Sequence, residues 1–576
     1  MNRLQTNLTP LLPAFIHTKE GKRWGYINNQ GQFVLPPQFE EADDFQENGM
    51  AIARLNGKVG LINDTGQFVI EPQYNSMLPF TENRAIVTDD EGFSVINEQG
   101  QVLTKKTYGL INPYQEGRAI FAETRDDQFL YGYLDEDGNE HIPLQFELAY
   151  DFSDGKALVK IKENEFALIN RDGHIVQSYP YASMMSYSEG LIAFAKTYQD
   201  NWGYVDEQGT VMIEPQFTYA LPFQNERAIV NAAEGIDNQY GLINRDASYI
   251  LPPTYQDMTQ LGNGRVAVGR AFDPERPFTG SRYGIATTDG SVLTDFLYDQ
   301  VAEYKNGLSS TTAGQFTFFI NESGQREPSL PVIPGIGTIT IIDDVIQANV
   351  DHSLSYYDRA GNIVYQPNTV FPLDDQYRIH IRKYSPNKDY LVYYPQIEGM
   401  TNGEAEKNVN AILRQKSLVL PVPSTQLDYG YYGDFSVAFF QNHLLILKLE
   451  GYRYPFGAAH GMPYQVHVSI DLGTGQIYQL KDLFKQDSDY VKELSDIVGQ
   501  QIKDQMEQGH TYFFPDQYRG ITPDQAFYVT DDALVLYFEP YEIAAYVAGF
   551  PSFTIPFKEI EGILDFTSSF WRSLHE

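Results

Sequence analysis

The chain has 576 residues, 42% of them apolar and 14% aromatic, which is enough to bury the cores of more than one folded domain. Its formal charge of −35 disfavours nucleic acid and anionic lipid as partners, because both are polyanions that proteins bind through clustered Lys and Arg. The absence of cysteine excludes disulfides, thiolate metal sites and thiol nucleophiles.

The first residues carry no targeting pattern. Residues 1–17 hold a short apolar stretch that Pro10 and Pro13 interrupt, and no small-residue cleavage site follows it. No apolar run approaches the roughly 18 to 20 residues that a helix needs to cross a bilayer. We therefore expect no membrane span and take the cytoplasm as the default location.

One short unit recurs along the N-terminal part of the chain. The stretch Trp24-Gly25-Tyr26 returns as Trp202-Gly203-Tyr204, with the same residues spaced around it. Ten units can be aligned on the residue that closes this strand, 34 to 43 residues apart, and the last three are degenerate: Asn28, Asn63, Asn97, Asp135, Asn170, Asp206, Asn244, Thr287, Asn321 and Asp358. Such self-similarity is typical of a repeat protein.

Each unit reads as three short strands joined by turns. The first strand alternates apolar and polar residues, as in 51–55, and the second carries the glycine of the Trp-Gly-Tyr type. We expect this glycine to let a neighbouring backbone or ring approach closely. The third strand ends in a Pro-Gln-aromatic signature such as 36–39, where we expect the proline to interrupt pairing and turn the chain outward.

These motifs resemble those of the WG-repeat family over roughly residues 15 to 365. The resemblance implies a β-repeat scaffold of bacterial proteins that is used for binding and has no shared chemistry. Three copies depart from it, with Phe93-Ser94, Phe166-Ala167 and Phe316-Thr317 in place of Trp-Gly. We expect those copies to serve packing alone.

The fold class predicted for this part is a mainly β repeat array of three-stranded units of about 35 residues, either an open curved array or propeller-like. A single propeller usually closes with about four to eight blades, so we favour the open array, with two smaller propellers as the alternative. Trp24 and Trp202 are interpreted as packing rings of their own units; the alternative is that they are sugar-stacking platforms.

The repeat pattern fades after Asp358, and an α+β domain is predicted to follow. We divide the chain into the array (1–366), a small α+β subdomain (367–425) and a C-terminal α+β recognition domain (426–576). One helix is predicted over 401–418 with a capping box of Thr401 and Glu404, and a second over 487–508, stopped by Gly509. Strands are predicted at 377–385, 390–394, 435–440, 444–452, 464–471, 526–529 and 534–538.

A second resemblance rests on ordered motifs at 452–454, 457–461, 471–475, 480–484 and 538–544. They look like the domain of unknown function in the extracellular part of lysozyme-sensing anti-sigma factors and beside the catalytic domain of some peptidoglycan deacetylases. The upstream stretches 393–397 and 408–413 resemble the smaller domain that usually precedes it. The resemblance implies a binding or sensing module for a cell-wall enzyme or a glycan. Because those relatives face outside the cytoplasm, an extracytoplasmic location is the alternative to the cytoplasmic one.

His460, in the Gly-Ala-Ala-His-Gly stretch, is the first candidate for a functional residue. Imidazole titrates near neutrality, and the nearby Tyr452 and Tyr454 can stack or donate hydrogen bonds. Tyr541 and Glu542 are predicted to complete a ligand-binding site. The alternatives are that His460 bonds within a structural turn, that Tyr541 is core, and that Glu542 caps an edge.

We expect no catalytic residues, no metal and no cofactor. His443 and His467 could join His460 at a zinc ion, but their spacing matches no ligand pattern. The predicted function is a non-enzymatic protein with a protein- or cell-wall-recognition domain on a β-repeat scaffold. The expected partner is another protein such as a basic cell-wall hydrolase, with a glycan as the second class.

Two other functions stay open. One is a structural interaction scaffold of the cytoplasm. The other is a glycan-modifying or hydrolytic enzyme that uses His460 and Glu542, which requires the two side chains to converge in one cleft.

Overall fold

The computed structural model of the chain describes residues 11–235, 237–424, 427–514 and 516–575. They form two compact units. The first holds the residues up to Ile16 together with Arg23–Pro367, and the second holds His17–Lys22 and Asn368–Glu576.

The described residues of the first unit form ten antiparallel sheets, in which strands that follow each other along the chain lie side by side. Their strands are, for sheet 1, Leu12–Thr18, Gly21–Ile27 and Phe33–Phe39; sheet 2, Glu41–Ala42, Met50–Leu55, Lys58–Asn63 and Phe68–Tyr74; sheet 3, Ser76–Met77, Arg84–Thr88 and Phe93–Asn97; sheet 4, Leu110–Ile111, Ala119–Arg125, Gln128–Leu134 and Glu140–Phe146; sheet 5, Leu148–Ala149, Lys156–Lys162, Glu165–Asn170 and Ile175–Tyr179. They continue with sheet 6, Ser183–Met184, Leu191–Ala195, Trp202–Asp206 and Val211–Phe217; sheet 7, Tyr219–Ala220, Ala228–Asn231, Tyr240–Ile243 and Tyr249–Tyr255; sheet 8, Asp257–Gly262, Arg265–Ala271 and Ser281–Thr287; sheet 9, Gln300–Val301, Leu308–Ala313, Phe316–Asn321 and Ile333–Pro334; and sheet 10, Gly337–Ile342, Val345–Val350, Ser353–Asp358 and Ile363–Tyr365.

The mainly β repeat array is therefore confirmed, with one addition to the predicted unit. In most sheets a short extra strand precedes the first predicted one. Glu41–Ala42, for example, pairs with Ala53 and Arg54 at the start of sheet 2. At this junction only Glu40 separates the last strand of sheet 1 from the first strand of sheet 2.

The motif glycine lies where two backbones meet closely, as predicted. A Cβ atom on Gly25 would lie less than 3.0 Å from the carbonyl oxygen of Leu35, and one on Gly203 equally close to that of Ile213. At the first of these sites the pairing slips, since Trp24 faces Phe39 while Tyr26 faces Leu35. The glycine therefore makes room for a β-bulge.

The expectation that the prolines turn the chain outward is wrong. The strand Phe33–Phe39 continues through Pro36 and Pro37 and pairs again at Phe39. The other part of the expectation is confirmed, since the pairing is interrupted between Leu35 and Phe39. This is the outermost strand of its sheet, so the missing N–H groups affect the ladder on one side only.

The tyrosine of the motif links its sheet to the next one. Its hydroxyl donates to a backbone carbonyl oxygen in the segment after the following sheet's first strand, at 2.9, 2.7 and 2.7 Å in three units: Tyr26 to Asp43, Tyr133 to Tyr150, and Tyr204 to Leu221. Trp24 and Trp202 are half-buried and pack on Phe15 and Tyr219 with ring centroids 4.7 and 5.8 Å apart. The contacts of both rings are those of packing residues.

The array closes on itself. Each sheet shares an apolar core with the next, and sheet 10 shares one with sheet 1, where Leu12 and Ala14 pack with Val345 and Tyr356. The buried hydroxyl of Tyr356 donates to the carbonyl oxygen of Pro13 at 2.7 Å. The open array that we favoured is wrong, because it would leave these two apolar faces in water. Nor are there two smaller propellers: the propeller-like arrangement is one ring of ten sheets.

The second unit is an α+β domain, as predicted. A six-stranded sheet has the order Val370–Pro372, Arg378–Asn387, Tyr390–Glu398, Tyr429–Gln441, Leu444–Pro455 and Met462–Asp471, with the third and fourth strands parallel. A three-stranded sheet holds Phe527–Val529, Ala533–Tyr537 and Ser552–Pro556. The proposed division at 425/426 falls inside the order of the six-stranded sheet.

In the part of this unit that the structure describes there are three α-helices: α1 (Gly403–Lys416), α2 (Tyr490–Glu507) and α3 (Ser569–His575). Short 3-10 helices span Leu480–Leu483 and Tyr546–Ala548, and another, Pro277–Thr279, lies in the first unit. None of the described helices has the length and apolar character needed to span a membrane.

Both predicted helices are present. The capping box at Thr401 is wrong: Asn402 is the N-cap of α1, and its side-chain oxygen accepts from the N–H groups of Glu404 and Ala405. α2 buries Leu494, Val498 and Ile502, and Gly509 follows its last turn at φ +95°, as the sequence predicted.

Candidate functional site

His460 lies in the turn that joins the last two strands of the six-stranded sheet, Leu444–Pro455 and Met462–Asp471. Glycine is needed on both sides of it. Gly457 has φ +80°, and a Cβ atom on Gly461 would lie less than 3.0 Å from the carbonyl oxygen of Arg453. The local sequence therefore fixes a tight turn with the imidazole at its end.

Both ring nitrogens of His460 have partners. Nδ1 lies 3.0 Å from the carbonyl oxygen of Gly461, and Nε2 lies 3.4 Å from the hydroxyl of Tyr541. Because a carbonyl oxygen only accepts, Nδ1 must donate, and Nε2 of the neutral ring then accepts from Tyr541. The imidazole also lies over Tyr546, with ring centroids 4.2 Å apart.

Tyrosine hydroxyls fasten the turn. Tyr452 accepts from the N–H of Gly461 at 2.8 Å, and Tyr454 donates to the carbonyl oxygen of Ala458 at 2.9 Å. Tyr546 donates to the carbonyl oxygen of Gly461 at 3.1 Å. The hydrogen bond between Tyr546 and Tyr452 is the main cause that raises the pKa of Tyr546.

These five residues, Tyr452, Tyr454, His460, Tyr541 and Tyr546, are called the aromatic patch below. Tyr452, Tyr454 and Tyr541 are 40%, 39% and 47% exposed. Their hydroxyls are held by the protein while part of each ring faces solvent. Such a surface offers large amphipathic contact area that is already ordered before a ligand arrives.

Tyr541 has φ +69°, in the left-handed region that non-glycine residues seldom occupy. The alternative that it belongs to the core is wrong, because it is exposed and lies beside His460. Holding a tyrosine in this conformation costs of the order of 1 kcal/mol, which is common where a side chain is aimed for function.

Glu542 has a different role in the structure. Its carboxylate accepts from the N–H of Glu539 at 2.9 Å, inside its own turn. This is the edge-capping contact that the sequence offered as the alternative. Its assignment to a ligand site stays a proposal, as does that of the tyrosines.

Tyr546 was missed by the sequence analysis. It lies on the 3-10 helix Tyr546–Ala548, next to the exposed Val547. The one signal in the sequence was that an aromatic residue follows Tyr541 at a short distance. The contact of Tyr546 with His460 could not be predicted, because it joins residues far apart in the chain.

The two histidines that were considered with His460 for a zinc site, His443 and His467, contact other residues. His443 Nδ1 lies 3.0 Å from the hydroxyl of Tyr377, and His467 stacks on Tyr528 with ring centroids 4.3 Å apart. Burial, with a smaller effect of the Lys448 charge, lowers the pKa of His467 to about 4. Within the described parts of the chain, no three His, Asp or Glu side chains are grouped so that they could hold a metal ion.

Two family descriptions match the chain. Residues 24–58, 60–91, 93–123, 131–164, 202–232 and 240–269 match the "WG containing repeat", and residues 481–558 match a "Protein of unknown function (DUF3298)". Both resemblances drawn from the sequence are thereby confirmed. The second match includes Tyr541 and Tyr546 but begins after the turn that carries His460.

Among curated proteins, the anti-sigma-V factor RsiV of Bacillus subtilis (strain 168) is 28% identical over 200 residues, which are 32% of this chain and 69% of RsiV. Two solved DUF3298 structures are similar to part of the chain. BF2082 from Bacteroides fragilis NCTC 9343 is 16% identical with a TM-score of 0.26, over 33% of this chain and 93% of that one. PA4972 from Pseudomonas aeruginosa PAO1 is 17% identical with a TM-score of 0.26, over 34% and 95%.

Proposed function

We propose that this chain is a non-enzymatic binding and sensing protein whose second unit recognises another protein through the aromatic patch. The first unit is then a β-repeat scaffold of the same chain. The similarity of part of the chain to an anti-sigma factor supports a role in recognition.

The aromatic patch is the observation that carries this proposal. Tyrosine is enriched at protein interfaces because it buries much apolar area with few rotatable bonds and keeps a polar end. Here the rings surround one histidine, and hydrogen bonds to Gly461 and Ala458 hold three of the hydroxyls in place. Because these tyrosine side chains are already ordered, their binding to a partner would cost little further side-chain entropy.

The partner we propose is a basic cell-wall hydrolase of the lysozyme kind. A chain with a formal charge of −35 attracts a basic protein over long range and increases the rate of encounter. The sequence resemblance to lysozyme-sensing anti-sigma factors points to the same class. A glycan is the second class of ligand that an exposed tyrosine surface would accept.

Among the described residues, the contacts of His460 and Glu542 fit binding better than the enzyme alternative. The Glu542 carboxylate bonds within its own turn, while His460 uses both nitrogens on Gly461 and Tyr541. A general base needs its proton acceptor within hydrogen-bond reach of a substrate. The scaffold alternative predicts that no specific ligand binds to the aromatic patch, whereas our proposal predicts one.

Calorimetric titration of the full chain with a lysozyme, at low and at physiological salt, tests the proposal. We expect saturable binding at both salt concentrations. Tyr541→Phe removes only the hydroxyl that contacts His460, and His460→Ala removes the centre of the patch. We expect His460→Ala to weaken binding at least about tenfold, the effect of a central interface residue, and Tyr541→Phe to weaken it less.

Tyr198→Ala is the matched control, since Tyr198 is a 65% exposed tyrosine of the first unit. It should bind like the parent. Heat that disappears at physiological salt would reduce the interaction to charge attraction alone. Equal affinity of all variants would place any binding outside the patch.

A further inference from the structure

The ring of sheets contains a cavity of about 690 Å³. Five consecutive sheets line the cavity, each with residues that lie between the start of its first strand and the start of its second strand. One such residue per sheet is Gln115 in sheet 4, Ser153 in sheet 5, Ser188 in sheet 6, Gln224 in sheet 7 and Gln260 in sheet 8. A closed ring turns such equivalent segments towards one another. The volume is within the range of about 300 to 1,000 Å³ that is typical of small-molecule sites.

Most of the polar groups of this cavity are neutral. Three glutamine amides and several hydroxyls line it. The Ser188 hydroxyl already donates to the carbonyl oxygen of Phe223, and Gln260 Nε2 donates to that of Arg227. Towards a ligand the Ser188 hydroxyl therefore acts as an acceptor, whereas a glutamine amide has both donors and an acceptor. Tyr150, Leu221 and Pro222 add partly exposed apolar surface beside them. A hydroxylated molecule with an apolar face would find partners for both kinds of surface.

Asp151 is the one carboxylic acid among the described residues that line the cavity, and no Lys, Arg or His is among them. Its side chain is in contact with solvent, yet the surrounding protein raises its pKa by removing part of its hydration. Contact with solvent and a raised pKa are both expected for a carboxyl group on the wall of a cavity that is open to solvent. A positively charged ligand group would stabilise this carboxylate, whereas an anion would be repelled by it.

The cavity wall is fixed before any ligand binds. The Glu116 carboxylate of sheet 4 accepts from the N–H groups of Asp154 and Gly155 in sheet 5, at 2.9 and 2.8 Å. Glu189 of sheet 6 holds the next turn in the same way through Asn225 and Glu226. Hydrogen bonds between sheets therefore fix the turns next to the lining residues, and a preformed site has little ordering cost on binding.

We propose that this cavity binds a small hydroxylated amine, the chemistry of an amino sugar. Its ammonium group pairs with Asp151, its hydroxyls bond to the glutamine and serine side chains, and its apolar face lies on Tyr150 and Leu221. The site belongs to the first unit alone, so it goes beyond the proposed function and does not depend on it.

A pair of sugars that differ in one group tests the proposal. The full chain is titrated by calorimetry with glucosamine and with glucose, which has a hydroxyl in place of the ammonium group. We expect glucosamine to bind with a Kd below about 1 mM and glucose to bind at least about tenfold more weakly, the usual effect of losing a charge-assisted hydrogen bond. Absence of saturable glucosamine binding, or equal affinity for the two sugars, would overturn the proposal.

Two variants of lining residues and one control variant locate the site. Asp151→Asn should remove the preference for glucosamine, whereas Asp154→Asn, which makes the same change three residues along but outside the lining, should keep it. Gln224→Ala should weaken both sugars alike, because the amide bonds to hydroxyls that they share. Thermal unfolding checks that each variant is folded. A preference that survives in folded Asp151→Asn would contradict the assignment of the ammonium group to that carboxylate.

Discussion

The glycine of the repeat motif is required by distance rather than by its backbone angle. In sheet 6 a Cβ atom on Gly203 would lie less than 3.0 Å from the carbonyl oxygen of Ile213 and the nitrogen of Pro215. In sheet 5 the equivalent residue is Ala167, which pairs with Ser178 without a bulge at that point. The third strand of sheet 5 also lacks a proline, so in sheets 5 and 6 the glycine, the bulge and the proline are either all present or all absent at this place.

We therefore expect Gly203→Ala to lower the free energy of unfolding by about 1 to 3 kcal/mol, because backbone atoms must move to admit the methyl group. Thermal and urea unfolding of the full chain measure the effect. Gly235→Ala is the control, since a Cβ atom there would meet nothing within 4 Å. Equal stability of the two variants would show that the close approach at Gly203 relaxes without cost.

His467 is a second residue whose surroundings have a measurable consequence. Burial and the Lys448 charge lower its pKa from 6.5 to about 4, and its Nδ1 atom is buried with no hydrogen-bond partner among the described residues. Between these two pKa values the unfolded chain binds a proton that the folded chain does not. Stability from this group is therefore complete above pH 6.5 and is lost as the pH falls towards 4.

Replacing the imidazole by a ring that does not titrate should remove this pH dependence. We expect His467→Phe, which can keep the stack on Tyr528, to gain stability relative to the parent as the pH is lowered from 7 to 4, by up to about 3 kcal/mol. Urea unfolding at several pH values gives the difference. His174→Phe replaces an exposed histidine of the first unit and is the control for the histidine-to-phenylalanine change itself. A constant difference between His467→Phe and the parent would mean that His467 is protonated equally in both states.

At the scale of elements, the sequence predicted what is local. Alternation and turn residues predicted the strands of the repeats, and the apolar spacing predicted both long helices. The start of α1 was wrong by one residue, because Thr401 and Asn402 both suit an N-cap and only Thr401 has an acidic residue three positions later. In the structure the acidic side chain near this end, Glu406, instead accepts from the N–H groups of Gly399 and Met400.

The two possible caps allow a direct comparison. We expect Asn402→Ala to cost about 1 kcal/mol, since two N–H groups of the first turn lose their acceptor. Thr401→Ala should leave stability unchanged within about 0.5 kcal/mol, as surface substitutions usually do. Thermal unfolding of both variants decides the matter. A larger loss for Thr401→Ala would assign the cap to the residue that the sequence pattern indicated.

The same limit applies to the candidate site. The sequence pointed to His460 because glycines next to a histidine are a local signal. Its one signal for Tyr546 was an aromatic residue shortly after Tyr541, and it could not show that this ring meets the imidazole across 86 positions of the chain. Nor could it decide that Glu542 bonds to its own turn while its neighbour Tyr541 faces His460.

At the scale of the first unit, closure was beyond the sequence. The contacts that close the ring join residues 12–14 to residues 345–356. Tyr356 is the motif tyrosine of the last, degenerate unit, but the sequence does not show that its partner is Pro13, 343 positions away. The number of sheets in a ring follows from the small rotation between neighbours, which side-chain packing sets and spacing does not reveal. In the closed ring the junction between sheets 10 and 1 is equivalent to every other junction.

Because the junctions are equivalent, a charge buried at any of them should lower the stability of the ring by a similar amount. Ala14 and Ala53 are both 1% exposed, the first between sheets 10 and 1 and the second between sheets 1 and 2. Aspartate at either position would bury a carboxylate without a partner and should cost more than about 2 kcal/mol. We expect Ala14→Asp and Ala53→Asp to lower Tm by similar amounts. In an open array residue 14 would lie on a free end, so a harmless Ala14→Asp beside a damaging Ala53→Asp would show that the ring does not close in solution.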